Sequence, residues 1–275
     1  MDETLQERTQ MPATAARIYD YMLGGTHNFP ADQQAARQLI EQFPVVPLAV
    51  RANRATLRRM VSYLGGAGVR QFLDIGSGMP TQSNVHEVAR AIAPESRVVY
   101  VDIDPVAVSE SLELLAGNDH ATAVLGDLRS PQAILDHPRV RNVLDFNQPI
   151  ALLLMGILHF VADDKVAMQS VAHLVDALPS GSYLAITHLA VETMEVTRAR
   201  DDSYEIVEDL YRRNTATPIG ARTREQTSRF FERTALVEPG LVWMTEWRPA
   251  PDDPQDFADD PRRSGWWAGL GKVGT

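Results

Sequence analysis

Arg70-Gln-Phe-Leu-Asp-Ile75, Gly76-Ser-Gly78 and a helical pattern from Ser83 to Ala93 give a strand, a tight turn and a helix in immediate succession. A second unit follows at once. Arg97-Val-Val-Tyr-Val-Asp102 is rich in β-branched residues, and Pro105 then suits the first turn of a helix to about Ala116. Three more strand-length apolar runs appear at Ala121 to Leu125, Pro149 to Leu154 and Ser182 to Thr187, with a helical segment, Asp163 to Leu178, between the last two. Continuous apolar strands alternating with helices predict an α/β fold whose mostly parallel sheet is covered on both faces.

The ends of the chain follow another rule. Ala15 to Leu23 and Pro47 to Leu64 are helical in pattern and precede the first strand, so residues 1–65 are expected to form a helical cap or lid over the ligand edge. Residues 66–249 form the expected core. Within it, Ser203 to Arg213 reads as a helix, with Tyr204, Val207 and Tyr211 on one face. Thr223-Arg-Glu-Gln226 fits a capping box, and Leu241 to Trp247 is expected to finish the sheet. Residues 250–275 are expected to be a mobile acidic, Pro-rich tail, although adjacent Trp266 and Trp267 could pin it to a surface.

Composition narrows the chemistry. A chain of 275 residues with 44% hydrophobic residues supports a globular core. The absence of cysteine excludes a disulfide scaffold, thiolate zinc sites and a Cys nucleophile. A formal charge of −10 disfavours non-specific binding to a phosphate backbone, so no nucleic-acid partner is expected. The acidic start lacks an apolar targeting region, and no run approaches the ~18 apolar residues of a membrane span. The expectation is a cytoplasmic protein with no membrane partner, its oligomeric state open.

The most informative window is Asp74-Ile-Gly76-Ser-Gly78-Met-Pro-Thr81. Glycines after a first strand let a ligand approach the backbone closely, but Thr81 stands where the dinucleotide fingerprint needs its third glycine. Asp74 would repel a pyrophosphate and attract a cation. S-adenosylmethionine carries an ammonium and a sulfonium. Asp102, ending the second strand, suits both ribose hydroxyls, and Asp127, after the third, suits the adenine amino group. The same acids also have purely structural readings as caps of turns and helices.

With these residues the chain resembles the class I S-adenosylmethionine-dependent methyltransferases, and among them an actinobacterial S-adenosyl methyltransferase family once catalogued as a domain of unknown function. The resemblance runs over roughly residues 13–249. It rests on Ala16 to Gly25 with Asn28-Phe29, Asn53-Arg54, Gln71 to Thr81 with Asn84-Val-His86-Glu87, and Val99 to Asp102 with Asp104-Pro105. It continues in Asp127-Leu-Arg129, Leu158-His159-Phe160, Gly181 to Leu184 with His188, and Glu238-Pro-Gly240. It implies a Rossmann-like fold with a seven-stranded sheet and S-adenosyl-L-methionine as cofactor. The expected cofactor-binding residues are Asp74, Gly76, Ser77, Gly78, Asp102, Ile103, Asp127, Leu128 and Met155.

Methyl transfer is an in-line displacement that positioning can largely accelerate, so no conspicuous catalytic triad is needed. His159, His188 and His27 are the candidates for a general base, each with an alternative reading as a packing or capping residue. Tyr19, Tyr21 and Asn28 are candidate lid or acceptor-side residues, or else ordinary helix surface. No metal is expected, because Arg90 replaces the second histidine that His86-Glu87 would need for zinc. The leading function is methyl transfer to oxygen or nitrogen of a small molecule. The alternatives are a non-catalytic module that binds the cofactor, a nucleic-acid methyltransferase, whose Asn/Asp-Pro-Pro motif is missing at Leu154-Met-Gly156, and an aminopropyltransferase.

Overall fold

The computed structural model describes residues 11–80, 84–193 and 219–274. Its strands are β1 Gln71–Ile75, β2 Arg97–Asp102, β3 Ala121–Leu125, β4 Ala151–Met155, β5 Tyr183–Leu189, β6 Thr234–Leu236, β7 Val242–Trp243 and β8 Trp266–Val273. They form one sheet of order β3-β2-β1-β4-β5-β8-β6, with the short β7 paired to β8 off this path. The first five run parallel to their neighbours, and β8 is antiparallel to β5. The order reverses between β1 and β4, and the crevice at the carboxyl ends there is where open α/β sheets bind ligands.

The apolar runs alternate between two cores. The neighbouring residues Leu73, Val99, Leu152 and Leu184 face one side, where Val171 and Leu174 of a helix at Asp164–Asp176 pack on them. Phe72, Val98, Ala151 and Tyr183 face the other, against Met60, Val61 and Leu64 of a long helix at Val46–Gly66. Burial on both faces is why these strands lack polar alternation. It also means that the long helix preceding β1 covers the sheet itself, while its first turns join a separate small core with the helices before it.

In chain order the helices are α1 Ala15–Met22, α2 Pro30–Gln42, α3 Val46–Gly66, α4 Val85–Ile92, α5 Pro105–Leu114, α6 Pro131–Leu135, α7 Pro138–Val143, α8 Asp164–Asp176 and α9 Arg224–Ser228. Several of them start where side chains satisfy orphan N–H groups. Asp104 accepts from the Val106 N–H at the start of α5, and Thr223 and Gln226 complete the expected capping box of α9. The reading of a helix at Ser203 to Arg213 lies outside the described residues.

The N-terminal helices are fixed to the sheet by one buried cation. Arg17, 2% exposed, donates from Nε to Asp32 Oδ2 at 2.9 Å and from Nη1 to Asp104 Oδ2 at 2.8 Å. Its third nitrogen meets the Pro12 carbonyl. Thr14 reinforces both acids, donating its hydroxyl to Asp104 and its N–H to Asp32. A guanidinium supplies a planar fork for two carboxylates, which an ammonium could not match.

The expectation of a mobile tail from residue 250 onward is corrected by the position of β8, a strand interior to the sheet between β5 and β6. Its Gly-rich sequence is a fitting requirement: a Cβ on Gly271 would lie 2.1 Å from Thr234 Oγ1. The acids before it are not a solvated run either. Asp252 and Asp253 pair with Arg58 and Arg59 of α3, Asp260 and Asp259 pair with Arg262 and Arg263, and Phe257 is buried. Leu241 to Trp247, expected to finish the sheet, contributes only β7, paired to β8 off the main path, and the edge is held by β6. Ala268→Asp in β8 is therefore expected to cost about 3 kcal/mol or more by burying a charge, while Ala258→Asp, on an exposed turn, costs little. Thermal unfolding of both variants checks this; equal melting temperatures would contradict it.

Candidate functional site

The carboxyl ends of β1, β2 and β4 open into a cavity of about 390 Å³, roofed by α1 and α3 and closed on the far side by the start of β8. That volume falls in the usual range of small-molecule sites, ~300–1,000 Å³. Asp74, Gly76, Ser77, Gly78, Asp102, Ile103 and Met155 all line it. Asp127 and Leu128 line an adjoining cavity of about 470 Å³ that shares Gly76, Asp102 and Ile103 with the first. The nine residues expected to hold a cofactor are thus brought to one continuous edge of the sheet.

Two of its acids are buried. Asp74 is 4% exposed and Asp102 is 7% exposed. Burial pushes the Asp74 carboxyl up to about 7, with the Arg54 guanidinium pulling it down and Asp102 adding to the rise. Burial likewise pushes Asp102 up to about 6, opposed by the backbone N–H donors of Asp104 and Gly78. Those donors sit at 2.9 Å from Oδ1 and 2.8 Å from Oδ2, which fixes the carboxylate plane and leaves each oxygen a further lone pair. Asp127 is the odd member. Partial burial works against its charge, but Arg129, bonded to both its oxygens, overrides this and holds its pKa low.

The glycine loop is shaped by φ values of +75° at Gly76 and +69° at Gly78. A Cβ on Gly76 would run into Ile157, whereas one on Gly78 would meet nothing. Gly76 is thus required by close packing, and Gly78 keeps its N–H on Asp102 and its outer side open.

The three candidate histidines separate sharply. His159, 3% exposed on the turn after β4, lines the cavity, touches the Trp266 ring edge-on at 5.1 Å, and has an Nδ1 with no hydrogen-bond partner among the described residues. Burial, with His188 and Arg222 nearby, lowers its pKa well below the ordinary imidazole value. His188 does not line the cavity. Arg222 can only donate, so the 2.8 Å contact makes His188 Nε2 the acceptor and puts the proton on Nδ1, which bonds the Leu189 carbonyl. Its pKa falls to about 3, chiefly through burial. The reading of His188 as a base is corrected on this ground: both nitrogens are used by the fold. Arg222 also donates to the carbonyls of Leu158 and Val161 and so clamps the turn that carries His159.

His27 is also away from the cavity. Its Nε2 lies 3.5 Å from Glu110 of α5, and its N–H donates to Asp20. Asn28 belongs to the same lock, donating to Asp20 and the Gly25 carbonyl. A Cβ on Gly25 would fall 2.0 Å from Asp20 Oδ1, which explains the Gly-Gly pair in physical terms. Tyr19 lines the cavity, accepting from Asn53 and donating to the Val50 carbonyl. Tyr21, roughly 200° further round α1, cannot share that wall and lies against Arg37 instead. The lid readings of Tyr21 and Asn28 and the catalytic reading of His27 are corrected accordingly. His86 and Glu87 have local partners: the His86 ring bonds Tyr100 Oη and Glu87 accepts from the Asn84 N–H.

Arg54, Asn53 and Trp266 also line the cavity, though no role could be assigned to them from the sequence. The first two lie on α3 and the third opens β8, so only tertiary packing brings them to Asp74. Trp266 is seated over Gly156, where a Cβ would approach its ring to 2.6 Å.

A family model described as S-adenosyl methyltransferase matches residues 3–274. A Thermobifida fusca YX protein described as a candidate methyltransferase is 38% identical, with a TM-score of 0.87 and coverage of 98% of each chain. A DUF574-family protein from Streptomyces avermitilis MA-4680 is also 38% identical at a TM-score of 0.87, covering 96% of this chain and 98% of that one. An O-methyltransferase family protein from Burkholderia thailandensis shares the fold at 13% identity and a TM-score of 0.53, over 98% of this chain and 67% of that one. No curated protein matches the chain.

The buried histidines generate their own expectation. His159 and His188 should stay neutral from about pH 8 to about pH 5, where an exposed imidazole would titrate. Imidazole resonances followed by NMR check this; a midpoint near the ordinary value for either would contradict the burial argument.

Proposed function

Because the chain belongs to the S-adenosyl methyltransferase family, we propose that its strand-edge cavity binds S-adenosylmethionine and presents the methyl group to an oxygen or nitrogen of a small molecule. The observation that carries this reading is the pair of buried carboxylates, Asp74 and Asp102, beside Arg54. Two acids held partly protonated by desolvation suit a ligand bringing cations and hydroxyl donors, and do not suit a pyrophosphate. When bound, S-adenosylmethionine supplies a methyl carbon activated by a sulfonium.

This chain's residues divide the work. Asp74 takes the α-ammonium of the methionine end and Arg54 the α-carboxylate, an assignment that uses both signs of charge in the pocket. Asp102 accepts from the ribose hydroxyls with the lone pairs its two N–H donors leave free. Ile103, 57% exposed, and Leu128 form the apolar slot for adenine, with Asp127 at its edge sharing its carboxylate with Arg129. Gly76, Ser77, Gly78 and Met155 give close backbone approach along the ligand. α1 and α3 exclude water from the reacting end, where positioning supplies most of the acceleration.

The sign of the pH dependence follows from Asp74. Its ionised form is the one an ammonium needs, and with a pKa of about 7 that form grows through neutral pH, so S-adenosylhomocysteine should bind about tenfold tighter at about pH 8 than at about pH 6. Asp74→Asn should weaken binding by about tenfold or more and flatten this dependence. Calorimetry checks both. An absence of binding at every pH, with NADH bound instead, would overturn the proposal.

A further inference from the structure

The cavity is larger than the part lined by Asp74, Gly78 and Asp102. It continues under the N-terminal helices along Met22, Leu39, Phe43, Val46 and Val50, and ends against Trp266. Met22, Leu39 and Val50 are 7%, 4% and 3% exposed, and Phe43 and Val46 are half-buried, so the described wall of this part of the cavity is apolar. Among the described residues its charged side chains outside the strand edge are Arg54 of α3, assigned above to the cofactor's carboxylate, and Arg263, which is paired with Asp259. A charged guest would therefore lose its hydration with no counter-charge to meet it.

The polar groups on the walls are equally selective. Tyr19 and Asn53 spend their hydrogen bonds on each other, on Val50 and on Thr187. His159 Nδ1 and Ser264 Oγ are buried without a partner among the described residues, and both residues line the cavity. An unmet imidazole nitrogen just behind an otherwise apolar wall suits a guest with a single small hydrogen-bonding function. Phe43, Phe160 and the indole of Trp266, fixed over Gly156, provide aromatic walls that favour a flat ring.

We infer that the methyl acceptor is an uncharged, largely apolar aromatic alcohol or phenol, seated between the N-terminal helices and Trp266 with its hydroxyl on His159. This assignment rests on the methyltransferase reading above. The hydroxyl oxygen forms a bond to the methyl carbon as the carbon–sulfur bond breaks. The breaking bond's electron pair stays on sulfur, and the hydroxyl proton passes to the neutral imidazole of His159. As the new bond forms, the oxygen becomes oxonium-like and far more acidic than any imidazolium, so even an imidazole of lowered proton affinity can receive the proton.

The test uses the full chain saturated with S-adenosylhomocysteine, whose binding is measured first in the same calorimeter cell. The probes are 2-naphthol, its anionic analogue 2-naphthoate and its cationic analogue 2-(aminomethyl)naphthalene. The naphthol is expected to bind about tenfold tighter than either charged analogue. Leu39→Asp and, at a less buried wall, Val46→Asp should each weaken naphthol binding about tenfold or more and leave S-adenosylhomocysteine binding unchanged. With S-adenosylmethionine, mass spectrometry should find methylated naphthol from wild type, and His159→Gln should lower its yield while retaining both binding steps. Equal binding of the three probes, or unaltered naphthol binding in both chamber variants, overturns the acceptor assignment alone. Failure of wild type to bind S-adenosylhomocysteine overturns the methyltransferase reading and the assignment with it.

Discussion

The site depends on a single buried relay that begins at Arg17. Its guanidinium joins Asp32 of α2 to Asp104 at the end of the β2 edge, the Asp104 N–H holds Asp102, and Asp102 in turn receives the Gly78 N–H. One continuous set of charge-assisted bonds therefore ties the helical roof to the glycine loop. Beside it, the N-terminal helices are docked by their small apolar core, by part of α3 and by the His27–Glu110 contact to α5. Removing one partner of such a buried set leaves uncompensated charge, typically at a cost of about 3–5 kcal/mol. In the proposed reading, the geometry of the nucleoside end and the closure of the reacting end follow from the same contacts.

Asp102 belongs to that relay, and Asp74, outside it, is buried beside it at the same edge. Asp74 and Asp102 bind protons more tightly in the folded chain than in the unfolded one, so their contribution to stability falls as pH rises from the ordinary carboxylate range toward about 7 and about 6 respectively. A ligand that brings an ammonium and hydroxyl donors offsets this loss, so binding and stability are coupled at the same groups. The histidine turn is arranged by the opposite device. Arg222 binds His188 and two carbonyls, holding His159 at the cavity wall while helping to keep it neutral.

The central sheet was legible because its signals are local. β2 and β3 appear with the same limits in sequence and structure, since a β-branched run bounded by turn residues has few alternatives. The three acids were legible for the same reason, each being a polar residue at or just beyond the carboxyl end of an apolar strand. β8 was hidden. Trp266-Trp-Ala-Gly-Leu-Gly-Lys-Val273 is half Gly and Trp, follows a run of Asp and Pro, and acquires strand character only by packing against Phe231 and Thr234. The polar segment Pro30–Gln42 was equally silent, its helix being held by Asp32 through Arg17 and not by a broad apolar face. At the site, spacing could rank neither the histidines nor Tyr19 against Tyr21, because which nitrogen is already bonded and which helix face turns inward are tertiary facts. Arg54 stood out in the pair Asn53-Arg54 but received no role, because local pattern does not tell which of the arginines of α3 lines the cavity with Asp74.

The most direct test of the central claim, that the buried carboxylate edge is a nucleoside site closed by the Arg17-docked helices, is a crystal structure of the chain with S-adenosylhomocysteine. The expected result puts both ribose hydroxyls on Asp102, the methionine end between Asp74 and Arg54, and the sulfur facing the chamber that His159 lines. A nucleoside bound elsewhere, or one at this edge with Asp102 turned away from the ribose, would contradict the account.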